Sequence, residues 1–267
     1  MSSTSNGAAA GPLESILRRD RAVVAAALAA LALIAWAYLM WLAASPAMDM
    51  PMDGHAMVSA GLGFWSAAHF LLMFLMWLVM MVGMMTPSVA PMILIYARVA
   101  RHESSRGKPF APAGWFALGY FLAWTGFAVL ATVLQWGLER ALLLSPMMAS
   151  ASPIFGGMLL IAAGVYQWTP LKSACLAQCQ SPFAFIQRHG GFRGDRPGSV
   201  LLGLRHGAYC IGCCWALMLL LFIGGVMNLL WVAAISALIL AEKLVPGRLI
   251  QRVIGFGFIV AGAALVL

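Results

Sequence analysis

Seven apolar runs, at about 22–44, 64–86, 113–138, 153–169, 204–225, 227–243 and 249–267, leave this chain few choices of fold. A bilayer core about 30 Å thick is crossed by roughly 20 helical residues, and most of these runs reach that length. Inside lipid every backbone N–H and C=O needs an internal partner, so runs of this kind resolve as helices. Composition agrees: 63% of the 267 residues are hydrophobic and 9% are charged, which excludes a water-soluble domain, a disordered chain and a disulfide scaffold. The expected fold is all-α, a polytopic transmembrane helix bundle of about seven spans occupying 22–267. The small and polar residues 1–21 are expected to form a disordered cytoplasmic N-terminus.

Charge gives the orientation. With the N-terminus in the cytoplasm, 15 of the 16 Lys and Arg fall on the inner side and only Arg140 outside, as the positive-inside rule requires. The formal charge of +8 then reflects topology and calls for no nucleic-acid partner; anionic headgroups are the natural counterpart of the basic loops. The first run follows Arg18, Arg19 and Arg21 and is too long for a signal-peptide core, so it reads as an uncleaved anchor.

Sulfur is distributed unevenly. Ten of the 18 methionines lie between Met48 and Met85. The outer loop carries Met48, Met50, Met52, His55 and Met57 with Asp49 and Asp53, a mixture of soft and borderline ligands. Methionine has no apolar reason to collect in an exposed loop, which favours metal capture over a plain acidic connector. Along the second run His69, Met73, Met76, Met80 and Met84 fall on a helical stripe roughly 80° wide and about 22 Å long. Met81 and Met85 sit beside it. One or two such methionines would be gap-fillers in a helical core; a ladder headed by an intramembrane histidine favours ligation. Pro87 and Pro91 are expected to kink or end this helix near the inner face.

Two further blocks hold all five cysteines. Thr169-Pro170 reads as a helix start that places Cys175 and Cys179 at i and i+4 on one face. At the head of the fifth run His206, Cys210, Cys213 and Cys214 lie within an arc of about 100°, with Gly203, Gly207 and Gly212 allowing another helix to come close. Reducing cytoplasmic conditions would keep the cysteines as thiols. Thiolate and thioether ligands together select Cu(I), with zinc or an iron–sulfur cluster as alternatives at the cysteines. Gly224-Gly225 with Asn228 reads as a tight outer turn, and Glu242 with Lys243 as an interfacial ion pair.

At these residues the chain resembles a bacterial family of predicted metal-binding integral membrane proteins, a domain of unknown function. The matching blocks are Met84-Met85-Thr86-Pro87 with Pro91; Thr169-Pro170-Leu171-Lys172 with Cys175, Cys179 and Ser181-Pro182; and His206-Gly207 with Cys210, Gly212, Cys213, Cys214 and Trp215. Gly83 stands where the family pattern has alanine. The resemblance covers roughly 65–245 and implies metal binding in a bacterial inner membrane. The leading functional expectation is a Cu(I) transporter or membrane metallochaperone, handing metal to or from a periplasmic or cytoplasmic metallochaperone. A transmembrane thiol–disulfide electron carrier and a non-transporting metal sensor or assembly subunit are the alternatives. No catalytic triad, paired carboxylates or phosphate loop marks an enzyme.

Overall fold

A computed structural model describes residues 12–44, 65–107, 111–145 and 148–267. Among the described residues the chain is all-helical, with one isolated bridge between Leu144 and Ser150. The helices are α1 (Pro12–Ala43), α2 (Ala67–Ser105), α3 (Ala113–Arg140), α4 (Pro153–Gln167), α5 (Pro170–Gln180), α6 (Pro182–Arg188), α7 (Arg196–Leu219), α8 (Leu221–Gly224), α9 (Leu229–Leu244) and α10 (Arg248–Val266).

Five segments are long and apolar enough to cross a membrane: Ala22–Ala43, Ala67–Ser105, Ala113–Arg140, Arg196–Gly224 and Arg248–Val266. The pair α4 and α5, bent by 67° at Trp168-Thr169, raises the number to six. Helix α9 covers the remaining expected run but has 16 residues, about 24 Å of rise. Of the N-terminal segment, residues 1–11 lie outside the described residues and 12–21 continue α1.

Helix α2 departs from expectation. It passes through Pro87 and Pro91 without ending and runs 39 residues to Ser105. Proline is tolerated within a membrane helix where neighbouring helices and hydroxyl side chains satisfy polar groups around the break. Here Thr86 Oγ1 donates to the Val82 carbonyl at 2.6 Å and Ser88 Oγ to that of Met85 at 2.9 Å. Other local readings hold: Thr169 caps α5 with Pro170 at its first position, Gly225 takes φ +91°, and Asn228 caps α9.

Packing is organised by glycine. Helix α7 is the centre, with 56% of its apolar window buried, against 11% for α1 and 17% for α10. Gly119 of α3 meets Val200 of α7, Gly203 of α7 meets Phe116 of α3, and Gly207 abuts Ala123. The order of these contacts makes α3 and α7 parallel neighbours at backbone contact. Helices α4 and α10 are antiparallel. Gly157 faces Gly262, where an added Cβ would come within 2.7 Å of carbonyl oxygen, and Gly164 faces Gly255 in the same way. Small residues at spacings of this kind let membrane helices gain van der Waals contact that lipid does not offer.

A Cβ at Gly203 would strike the backbone of Phe116, which no rotamer change relieves. Gly203→Ala is therefore expected to cost about 1–3 kcal/mol, read as a lowered unfolding midpoint in detergent. Gly126→Ala, which meets open space, is expected to leave the midpoint unchanged.

Candidate functional site

All five cysteines are free thiols, and they converge. Helix α5 brings Cys175 and Cys179 against α7, which carries Cys210, Cys213 and Cys214. The Cys179 thiol lies beside those of Cys210 and Cys213. Gly212 makes room for Cys175, whose Sγ would lie 2.8 Å from a Cβ at that position. Four of the thiols are buried and Cys179 is half-buried. The expected i, i+4 and i, i+3/i+4 spacings thus place both cysteine blocks at one interface.

Cys210 is the most connected of the group. Its Sγ is 3.1 Å from Tyr120 Oη of α3 and receives the Lys243 ammonium of α9 at 2.9 Å. Lys243 also donates to Ser88 Oγ at 3.0 Å and reaches Met85 Sδ at 4.0 Å, so four helices meet around one sulfur. The thiols of Cys213 and Cys214 turn back to the Cys210 carbonyl, each at 3.0 Å. In this state the sulfurs are engaged with one another, a carbonyl and an ammonium. Among the described residues no group of three or more His, Cys, Asp or Glu is poised as a ready-made metal cage. The donor set nevertheless suits a soft ion: rotating the thiols away from the carbonyl and releasing their protons to the ion's surroundings would leave thiolate ligands, with the Met85 thioether nearby.

His206, one turn before Cys210, is 3% exposed and lies among the rings of Phe116, Tyr120 and Phe185 at centroid distances of 5.9, 5.9 and 4.9 Å. Its Nδ1 is buried without a hydrogen-bond partner. Met73, Met76, Met80, Met81, Met84 and Met85 are all buried and share one core cluster with Cys175, Cys210, Cys213 and Cys214. His69 is different: it is exposed at the start of α2, with its ring edge against Trp65 at 4.7 Å. The loop ligands Met48, Met50, Met52, His55 and Met57 lie outside the described residues.

One expectation is corrected. Glu242 and Lys243 do not pair with each other at an interface; both are buried, at 2% and 8% exposure, and they face different helices. Adjacent residues on a helix diverge by about 100°. Glu242 accepts from Lys172 Nζ at 2.7 Å and from Gln167 Nε2 at 2.7 Å, while Lys243 turns to Cys210. Sequence reasoning missed Lys243, Lys172 and Tyr120 as site residues. The signal was present for Lys243, an ionisable group at the end of an apolar run, but position alone made it an interfacial residue.

On the side of α5 bearing Ser173, Ala174 and Ala177, a groove of about 730 Å³ opens between α4, α5 and α10. Arg248 and Arg252 line it, one turn apart.

The sequence model of a family described as PpoB2, copper chaperone, matches residues 74–265. No curated protein and no solved structure matches the chain.

Removing one partner of a buried ion pair strands the other charge. Glu242→Gln is expected to destabilise the fold by about 3–5 kcal/mol, measured by unfolding in detergent. The double variant Lys172→Met/Glu242→Leu is expected to recover most of that loss.

Proposed function

Since the match spans well over half its length, the chain belongs to the PpoB2 copper chaperone family, and on that premise we propose that it binds Cu(I) within the bilayer and carries it between thioether and thiol ligands. The observation that supports this most is that buried methionines and cysteines belong to one core. Seven methionines of α2, Met92 among them, lie in the same core as Cys175, Cys210, Cys213 and Cys214, and Met85 and Cys210 share the Lys243 ammonium. Neutral thioethers hold Cu(I) loosely and thiolates hold it firmly, so affinity rises along the path.

In this reading Met48, Met50, Met52, His55 and Met57 capture the ion outside. His69, Met73, Met76, Met80, Met81, Met84 and Met85 relay it, and His206, Cys175, Cys179, Cys210, Cys213 and Cys214 receive it. Lys243 holds the place of the cation in the metal-free site. Ser88 Oγ, already within its reach, gives the ammonium somewhere to go when copper takes Cys210. Inward movement of a monovalent ion gains about 2.3 kcal/mol per 100 mV of membrane potential.

The proposed setting is a bacterial inner membrane, with the N-terminus in the cytoplasm and seven crossings. Packing supports the seventh. Helix α4 ends and α10 begins at the same end of the bundle, where Trp168 Nε1 meets the Arg252 carbonyl at 3.2 Å. The chain arrives there from the Gly225 turn only if α9, though short, carries it back across. Gln180 Nε2 fixes that arrival, donating to the carbonyls of Glu242 and Val245. The Arg248/Arg252 groove at this end suits anionic headgroups, as the cytoplasmic orientation requires.

Competition with a Cu(I) chelator under reducing conditions tests the site. The triple Cys210→Ser/Cys213→Ser/Cys214→Ser variant is expected to bind roughly a hundredfold more weakly, about 2.7 kcal/mol. Retention equal to the parent protein overturns the proposal. Proteoliposomes separate carriage from storage: Met80→Leu/Met84→Leu is expected to slow copper flux while leaving binding at the cysteines intact. Binding with no flux in the parent protein points to a sensor or assembly subunit instead.

A further inference from the structure

Nearer the start of α2, at Met73 and Trp77, a second cluster gathers around Gln135 of α3, which is fully buried. Its Oε1 accepts from Trp77 Nε1 at 2.7 Å, and its Nε2 faces Glu139 Oε1 at 2.8 Å, Met148 Sδ at 3.2 Å and Met73 Sδ at 3.6 Å. The indole donor on one side and the carboxylate on the other fix the amide orientation. An amide nitrogen carries two protons, yet three acceptors point at it. Two of those acceptors are thioethers brought from separate parts of the chain. Such a surplus of electron pairs around one point is the arrangement a cation satisfies better than an amide.

Met148 shows that this convergence is built. It has φ +53°, a left-handed conformation that residues with a Cβ seldom adopt. The turn that imposes it is well bonded: Met148 N donates to the Ser145 carbonyl at 2.8 Å, and Ser145 N to that of Ala149 at 2.7 Å. Ser150 N then ties the turn to the Phe222 carbonyl at 2.6 Å. The result is a half-buried Met148 with its sulfur turned inward. Glu139 is steadied in the same way, its other oxygen accepting from Trp65 Nε1 at 3.0 Å.

We propose that Met73, Met148 and Glu139 form a separate binding site for a soft monovalent cation, reached when the Gln135 amide swings aside and the three donors close around the ion. Two neutral thioethers supply soft donors and one carboxylate supplies the compensating charge. The identity of the ion as Cu(I) rests on the copper reading above; the site itself rests on this geometry. Trp65 joins the cluster through Glu139.

The test uses the full chain in detergent, with methionine methyl groups labelled for NMR and Ag(I) as a closed-shell stand-in for Cu(I). The Met73 and Met148 signals, identified by their loss in Met73→Leu and Met148→Leu, are expected to shift together on titration. Met148→Leu, nearly volume-conserving, is expected to weaken this binding at least tenfold, as is Glu139→Gln should the leucine variant fail to fold. The triple cysteine variant is expected to keep the methionine shifts while losing the thiolate-held equivalent. Unmoved Met73 and Met148 signals at saturating Ag(I), or parental affinity in both Met148→Leu and Glu139→Gln, overturns the site. Parental copper retention in the cysteine variant, with the methionine shifts intact, overturns the cysteine reading and leaves this site standing.

Discussion

A carboxylate with almost no access to solvent organises the thiol end of this bundle. Glu242 cannot remain charged in an apolar interior without partners, and it draws them from two other helices: Gln167 at the end of α4 and Lys172 at the start of α5. Those contacts set the rotation of α9. Once Glu242 faces α4 and α5, the next residue is turned by about 100° and Lys243 faces α7 and α2. The ammonium beside Cys210 is therefore a consequence of the carboxylate beside Lys172. The two charges do different work: one closes a structural network, while the other stands next to the thiols.

Much of this arrangement is legible in the sequence because it is local. The spacing of Cys210, Cys213 and Cys214, the start at Thr169-Pro170 and the turn at Gly224-Gly225 need only helical geometry and turn chemistry. The buried face of α2 is likewise periodic, and Met73 through Met85 are buried as that period demands. What periodicity cannot supply is which helix lies opposite. Tyr120 beside Cys210 depends on glycines in two helices meeting, and Lys172 with Glu242 on a bend at Trp168-Thr169. Helix α2 outruns its apolar stretch for a related reason: a proline removes one donor locally, but whether the helix continues is decided by neighbours. Gln135 and Glu139 went unnoticed because each is an isolated polar residue on an otherwise apolar helix, and only Met148, from a turn, gives them a purpose.

The two sulfur clusters contrast in chemistry. Around Gln135 the donors are neutral thioethers with one carboxylate; around Cys210 they are thiols with an ammonium. Thioethers hold soft ions loosely, whereas thiols hold them tenaciously once they have released their protons. Burial makes that difference matter, since neither cluster exchanges freely with water.

The close approach of α3 and α7 carries a consequence for biogenesis. Tyr120 and Cys210 are 90 residues apart, and Lys243 joins them from 33 residues further on. A chain inserted from its N-terminus exposes the glycine face of α3 to lipid until α7 arrives, and the thiols lack their ammonium until α9 follows. The thiol cluster with its ammonium is thus among the last features to be completed, and a ribosome stalled before α9 would leave Cys210 without Lys243.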